Sequence, residues 1–286
     1  MSSRRSLMRT AGLSMAAMGA IPLLAGREAH AKGDDAESHN SKVTDADILN
    51  FALNLEYLEA EFYQRAVTGN GLTAVDTTGV GNQGTVVGGS AVPFSSSAIA
   101  QYAAEIAADE LAHVRFLRTA LGSAAVAEPS IDLFNSFNTA ASAAGLGDSF
   151  NPFSSDVTFL LGSYIFEDVG VTAYNGAAPL IRKKAYLAAA ASILGVEAYH
   201  AATVRTLLLQ MGQGAATAAI SALRAAASGA ADDQGVLLNG VANITPTDAN
   251  ALVFSRTTTQ VLNIVYLGGA SGNFGFFPEG LNGAIA

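Results

Sequence analysis

Apolar residues recur at helical spacing in four long segments of the chain and thin out between them. In the first segment they stand three or four positions apart, so they share one face of a helix. In the third segment, residues 159–166 are apolar nearly all round, which indicates a helix buried on every side. The pattern predicts four main helices, at residues 45–67, 98–121, 155–175 and 180–211.

The segments between these helices differ in length and composition. Residues 68–97 are rich in Gly, Thr, Val and Ser and lack a helical period, which favours a loop or a small hairpin. Residues 123–153 can run back along a helix of about 36 Å. We therefore predict an all-α fold, a four-helix bundle at residues 44–212 with a long crossover between its second and third helices. A smaller extension, residues 213–286, is expected to pack on the bundle, with its tail along the outside.

Composition adds constraints on the core and on partners. Half of the residues are hydrophobic and 14% are charged, so a large core is expected and any carboxylate inside it needs an explanation. Cysteine is absent, which excludes disulfides, thiolate metal sites and thiol nucleophiles. The net charge of -9 argues against nucleic acid and against anionic membrane surfaces. We expect no nucleic-acid partner and no membrane span in the folded body.

The first 43 residues carry features of an export signal and a linker. Arg4 and Arg5 form a twin-arginine start, an apolar run covers residues 11–25, and Ala29-His30-Ala31 is typical of a cleavage site. Residues 32–43 are polar and are predicted to be a disordered linker. The sequence therefore predicts export of the folded protein by the twin-arginine route, to the periplasm or beyond the cell.

A duplicated pattern of acidic residues and histidines crosses the four helices. Glu110 precedes His113 by three positions in the second helix, and Glu197 precedes His200 by three in the fourth. Residues three apart share a helix face. The first and third helices each carry a Glu followed seven positions later by a Tyr: Glu56 with Tyr63, and Glu167 with Tyr174.

Four bundle helices that supply Glu, Glu-x-x-His, Glu and Glu-x-x-His form a ligand set for two metal ions. Four carboxylates balance two divalent ions, and the mixed oxygen and nitrogen set suits iron or manganese. We predict two such ions, with these ligands: Glu56, Glu110, His113, Glu167, Glu197 and His200. The alternative is a set of buried ion pairs without metal.

For several residues near the predicted ligands, the sequence is compatible with two roles. Glu59 shares a face with Glu56 and is a ligand in its place or a partner of the ligands. Tyr63 and Tyr174 are hydrogen-bond donors or redox-active groups near the metals, or else ordinary core tyrosines. Asp168 either accepts a hydrogen bond from a ligand histidine or faces a neighbouring helix. The remaining acidic residues of these helices are predicted to be solvated charges: Glu61, Glu105 and Asp109.

The segments that carry this pattern resemble the ferritin-like superfamily. Residues 49–63, 166–174 and 196–201 look most like the branch of plant desiccation-related proteins and their bacterial and fungal relatives, as do residues 254–266 of the extension. The resemblance covers about residues 44–284. It implies a ferritin-like bundle whose metal residues fall on the six ligands predicted above, and a link to stress and desiccation rather than to one reaction.

Three functions are compatible with the sequence. The first is a di-metal oxidoreductase of catalase, peroxidase or ferroxidase type, with peroxide or oxygen as its small-molecule oxidant. The second is a non-catalytic stress protein that binds metal or serves a structural role. The third is iron storage, which requires a large homo-oligomer that the insert at 68–97 and the extension make difficult to pack.

Overall fold

The computed structural model describes residues 43–268 and 275–286. The predicted export signal lies outside these residues, as does the predicted linker up to residue 42. Within the described part, α-helices dominate and strands are only two residues long. The helices are α1 (Asp45–Thr68), α2 (Ala74–Thr77), α3 (Ser97–Leu121), α4 (Asn135–Ala143), α5 (Asp156–Ala177), α6 (Lys184–Gln210), α7 (Gly214–Ser228) and α8 (Thr258–Val265).

The four long helices α1, α3, α5 and α6 are those predicted from the hydrophobic pattern, and capping side chains explain where the first three begin. The Thr44 hydroxyl and the Asp47 carboxylate form a reciprocal capping box at the start of α1. The Ser96 hydroxyl accepts a hydrogen bond from the third residue of α3, and Ser155 does the same for α5. Gly69 ends α1 in the left-handed conformation that glycine adopts without strain.

The helix directions require the long crossover. The Gln64 amide in α1 donates to the Ala107 carbonyl in α3, while Arg118 near the end of α3 reaches Tyr57, so these two helices are antiparallel. Paired contacts between α1 and α5, described below, make these antiparallel as well. Therefore α3 and α5 run the same way, and residues 122–155 must return along the whole bundle. The fold is an all-α four-helix bundle with a long crossover, as predicted.

The segment 68–97 does not form a hairpin. Its strand β1 (Val86–Val87) pairs in parallel with β2 (Ile131–Asp132) of the crossover, and Val80 forms an isolated parallel bridge with Val126. A parallel pair joins segments that are distant in sequence, which local turn signals do not reveal. The insert therefore lies against the crossover and covers one side of α1.

The C-terminal extension is joined to the bundle by buried charges. Arg205, Arg224 and Arg256 are almost completely buried. Asp168 of α5 accepts from Arg205 at 2.7 Å and from Arg224 at 2.8 Å, which ties α5 to α6 and α7. The Arg256 guanidinium continues the network through three carboxylate and hydroxyl partners: Asp232, Asp233 and Thr172.

The tail was predicted to lie along the outside of the bundle, and that prediction is wrong for its described part. Phe276 and Phe277 are buried in the core. The Phe276 ring packs edge-on against Phe137 and Phe166, with ring centroids 5.1 and 5.0 Å apart. Asn282 also exchanges backbone and side-chain hydrogen bonds with Asn54 of α1. Burying two phenylalanines favours insertion over surface packing.

One described helix, α6, is long and apolar enough to cross a membrane by length and composition. The core helix of a soluble protein passes the same test. Three polar side chains of α6 are buried within the protein, which is typical of a helix that packs into a core: Glu197, His200 and Arg205.

Candidate metal centre

Seven acidic and imidazole side chains meet in the middle of the four long helices. Helical spacing of three residues places each pair from one helix on a common inward face. All seven side chains are buried, with residue exposures of 8% or less. The contributors are Glu56 and Glu59 from α1, Glu110 and His113 from α3, Glu167 from α5, and Glu197 and His200 from α6.

The first group surrounds His113. Its Nδ1 lies 3.3 Å from Glu56 Oε2, 3.4 Å from Glu110 Oε2 and 3.6 Å from Glu197 Oε1. These residues come from three different helices, so only the bundle brings them together. One atom from each of the four residues lies within 4.8 Å of the others, a spacing that can hold a metal ion.

The second group surrounds His200 and shares a carboxylate with the first. His200 Nδ1 lies 3.0 Å from Glu110 Oε1 and 3.6 Å from Glu167 Oε2. The two oxygens of Glu110 thus face different histidines. A carboxylate placed in this way can bridge two cations.

Glu59 belongs to a third group, with Glu167 and Glu197, whose ligand atoms lie within the same 4.8 Å. The sequence pattern left Glu59 as a ligand in place of Glu56 or as a partner of the ligands, and the structure brings both residues into the cluster. Residues 56 and 59 lie three positions apart on one face of α1, so both side chains reach the cluster but approach different members of it. Gly170 of α5 leaves room for the Glu197 carboxylate, since a Cβ at residue 170 would lie 2.2 Å from Glu197 Oε2.

The two tyrosines of the repeat bond reciprocally across the bundle. The Tyr63 hydroxyl on α1 donates to Glu167 Oε1 on α5, and the Tyr174 hydroxyl on α5 donates to Glu56 Oε1 on α1. Burial, together with the adjacent carboxylates, raises the pKa of both phenols well above its usual range. The tyrosines therefore keep their protons and act as donors to the cluster, rather than serving only as core side chains.

Burial also controls the proton content of the carboxylates. It raises the pKa of Glu56 to about 7 and that of Glu167 to about 8, and the negative charge of Glu110 adds to both shifts. Burial and neighbouring carboxylates raise the pKa of Glu59 and Glu197 well above its usual range. These four groups are poor places for negative charge unless a cation lies close to them.

Glu110 and the histidines behave in the opposite way. Burial works to raise the pKa of Glu110, but hydrogen bonds and charge from both imidazoles outweigh it and lower that pKa to about 2. Burial works to lower the pKa of each imidazole, yet the surrounding carboxylates raise the pKa of His113 to about 11 and that of His200 to about 9. Without metal, protons on the imidazoles and carboxylates offset the negative charge of the cluster.

The residues fit a metal centre because many of their polar atoms have no hydrogen-bond partner. A buried polar atom left unpaired costs about 1–3 kcal/mol, and native proteins contain few of them. Here they converge on one place and belong to oxygen and nitrogen donors of the kind that bind divalent ions. Glu59 Oε2, Glu167 Oε2 and both oxygens of Glu197 have no hydrogen-bond partner. Three further atoms make no well-directed hydrogen bond and contact only other members of the cluster: Glu110 Oε1 and His200 Nδ1, 3.0 Å apart, and Glu56 Oε2, 3.3 Å from His113 Nδ1.

A carboxylate outside the cluster orients His200, and it is Asp109 rather than Asp168. His200 Nε2 lies 3.1 Å from Asp109 Oδ2, so its Nδ1 is the nitrogen that faces the cluster. The sequence pattern placed Asp109 among solvated charges, whereas Asp168 bonds two arginines. The contact crosses from α3 to α6, and no spacing within one helix encodes it. His113 Nε2 has no such carboxylate among the described residues.

Three further expectations concern residues near the cluster. Glu61 is not solvated but buried, because the insert folds over it. Arg65 Nε lies 2.5 Å from its Oε2, and the Leu72 backbone N–H donates to its Oε1 at 2.7 Å. Glu105 is exposed, as predicted. The arginines that follow each Glu-x-x-His bond within the protein, Arg118 to Tyr57 and Arg205 to Asp168.

Sequence comparisons identify a family and two relatives to which this chain is similar. The sequence model of the family described as Ferritin-like domain matches residues 44–210. The chain is 28% identical over 278 residues to the ferritin-like catalase Nec2 of Nesocodon mauritianus, and the match covers 88% of each chain. It is 32% identical over 174 residues to the desiccation-related protein PCC13-62 of Craterostigma plantagineum. That match covers 58% of this chain and 54% of the relative, about half its length. No solved structure gives a significant match.

Proposed function

This chain belongs to the ferritin-like family, in the branch of the desiccation-related proteins, and we propose that its cluster binds two metal ions for redox chemistry. The ions are iron or manganese, and the oxidant is peroxide or dioxygen. The ligands are the six residues that the repeat identifies, joined by Glu59. The observation that carries this proposal is the convergence of buried ligand atoms from four helices, several of them without a hydrogen-bond partner.

The charge of the donor set supports a change of oxidation state. Five carboxylates carry -5, so two divalent ions leave 4 - 5 = -1 and two trivalent ions leave 6 - 5 = +1. In a cycle between the divalent and the trivalent state, the net charge of the buried site therefore stays within one unit of zero. A site with large net charge would be costly to bury. Glu59 accounts for this balance, since four carboxylates would reach +2.

Metal ions in such a site supply the electrons and the Lewis acidity for peroxide or oxygen chemistry. The protein's own residues supply positioning. Tyr63 and Tyr174 each occupy one lone pair of a cluster carboxylate, which fixes how Glu167 and Glu56 turn toward the centre. Asp109 holds the His200 ring. Burial and the neighbouring carboxylates raise the pKa of Glu59, so this carboxyl can hold a proton beside the centre.

Peroxide removal is the reaction that we favour. The relative that aligns over most of both chains is named a catalase, and peroxide is a small neutral molecule that a buried centre can admit. A protective activity of this kind also suits a protein exported in the folded state with its metals already bound, which is our proposal for the twin-arginine start at residues 4 and 5.

A second candidate is a non-catalytic protective protein. Its support is the relative named desiccation-related, together with the low exposure of every cluster carboxylate. Such a protein would bind the metals for stability and turn over little peroxide. It differs from the first candidate in turnover rather than in metal content.

Metal content and turnover distinguish these candidates. Protein purified after native export is expected to hold about two iron or manganese ions per chain, measured by mass spectrometry, and to release oxygen from hydrogen peroxide. Glu197→Ala is expected to lose most of the metal, while Asp148→Ala, an exposed carboxylate away from the cluster, keeps it. Two ions without peroxide or ferroxidase turnover would favour the second candidate. Fewer than one ion per chain, unchanged in Glu197→Ala, would refute the metal centre.

A further inference from the structure

A groove separates α3 from α6 on one side of the bundle. Its volume is about 390 Å³, and His200 forms part of its lining. Residues early in α3 face residues late in α6 across it, as expected for antiparallel neighbours that are held apart. The lining consists of Tyr102, Glu105, Ile106, Asp109, Val196, Tyr199, His200 and Thr203.

Other approaches to the cluster are far smaller. A cavity beside Glu59 and Gly170 has about 10 Å³, and its remaining lining is apolar. A hollow beside Tyr174 has about 30 Å³ and is lined by apolar and tyrosine side chains. One water molecule needs at least about 10–15 Å³ measured in this way. The groove therefore holds many water molecules and reaches a cluster residue, whereas these two cavities have room for a few water molecules at most.

The chemistry of the groove selects by charge. Glu105 and Asp109 contribute carboxylates, while Tyr102, Tyr199 and Thr203 contribute hydroxyls. Among the described residues no Lys or Arg lines it, and the outer nitrogen of His200 already contacts the Asp109 carboxylate. Carboxylates at a mouth attract cations and repel anions over about 8–10 Å at ordinary ionic strength.

We propose that this groove is the route by which divalent metal ions and small uncharged oxidants reach the cluster, and that it excludes anionic substrates. The inference rests on the proposed function, because it concerns traffic to the same metal centre. It assigns the substrate class, small and neutral, and it assigns Glu105 to attraction of the incoming cation. Asp109 and His200 form the inner end of the route, where the groove meets the cluster.

Metal uptake by the full chain tests the route without relying on turnover. Metal-free protein is mixed with Mn²⁺, and the uptake rate is followed by loss of free metal from a fluorescent chelator. Thr203→Trp fills the groove and is expected to slow uptake at least tenfold, with little change in the final metal content. Ala191→Trp adds the same ring to an exposed position of α6 outside the groove and is expected to match the wild type.

A charge reversal gives a second variant that does not depend on packing. Glu105→Lys is expected to slow Mn²⁺ uptake and to weaken its dependence on ionic strength. Asp148→Lys changes the net charge equally at a distant exposed site and serves as the control. In metal-loaded protein, Thr203→Trp should also lower kcat/KM for hydrogen peroxide.

One result would contradict the role of the groove, and another would contradict the metal centre itself. Wild-type rates of uptake in both Thr203→Trp and Glu105→Lys, with normal metal content, would overturn the groove and leave the metal centre intact. A wild-type protein that takes up no metal would overturn the proposed function itself. If Thr203→Trp does not fold, Glu105→Lys decides alone.

Discussion

At the scale of single residues, the cluster is asymmetric although the repeat that encodes it is symmetric. Both histidines turn Nδ1 toward the carboxylates. In the described part of the chain only His200 has a carboxylate on its other nitrogen, because Asp109 precedes Glu110 while Val196 occupies the matching position before Glu197. A carboxylate bonded to a ligand imidazole fixes the ring and raises its basicity. The two metal positions are therefore expected to differ in affinity.

Asp109→Asn is expected to lower the affinity for one of the two ions by about 10-fold to 100-fold, because the neutral amide supports the His200 ring less well than a carboxylate. Competition with a chelator of known affinity measures the change. Glu105→Gln removes a charge from the same groove without touching His200, so its equilibrium affinities should stay near those of the wild type. Equal losses in the two variants would assign the effect to the electrostatic field of the groove instead.

At the scale of secondary-structure elements, the duplicated pattern is carried by two helix pairs, and the extension holds one pair in place. Asp168 is one residue beyond Glu167 but faces away from His200. Its carboxylate instead joins Arg205 of α6 to Arg224 of α7. A charge buried with its partners contributes to order chiefly because the loss of one partner leaves the other charges uncompensated.

Asp168→Asn is expected to lower the free energy of unfolding by about 3 kcal/mol, since Arg205 and Arg224 lose a buried counter-charge. Urea denaturation followed by circular dichroism measures it. Asp148→Asn, at an exposed carboxylate, is expected to change stability by less than about 0.5 kcal/mol. Folded Asp168→Asn should retain the metal content of the wild type, and a loss of metal would instead return Asp168 to the role of a histidine partner.

At the scale of the whole molecule, metal and protons compete for the same buried charges. The folded-state pKa of Glu56, Glu167, His200 and His113 is raised to about 7, 8, 9 and 11, from 4.5 for the carboxyls and 6.5 for the imidazoles. The metal-free native state thus binds more protons than the unfolded chain. Its stability contribution from these groups is full at low pH and is lost as pH rises through those values. Glu110, with its pKa lowered to about 2, acts oppositely and only below pH 4.5.

Removal of metal is therefore expected to lower Tm by an amount that grows as pH rises from about 5 to 9. Metal binding requires deprotonated ligands, so its stabilisation increases over the range in which metal-free protein weakens. Scanning calorimetry of loaded and chelator-treated protein at matched pH measures the difference. Burial raises the pKa of Glu128, a carboxyl outside the cluster, to about 9. It titrates in both the loaded and the metal-free protein, so its contribution to the difference in Tm cancels. A difference that stays constant with pH would show that metal does not bind these ligands.

Much of the architecture follows from local sequence alone. Hydrophobic spacing predicted the four long helices, and the duplicated pattern of Glu and Glu-x-x-His identified six members of the cluster. These features depend on distances within one helix, where a spacing of three residues is enough to define a face.

Only the tertiary structure decided how those faces meet. In the structure Glu59 joins Glu56 in the cluster, and Asp109 rather than Asp168 contacts His200. The insert covers Glu61, and Phe276 packs in the core. Each outcome depends on the crossing and register of helices distant in sequence, which local periodicity does not encode. The sequence by itself determined that the six residues of the repeat point inward, because their spacing defines one helix face. The packing of the bundle determined which atoms they contact and which further side chains are buried with them.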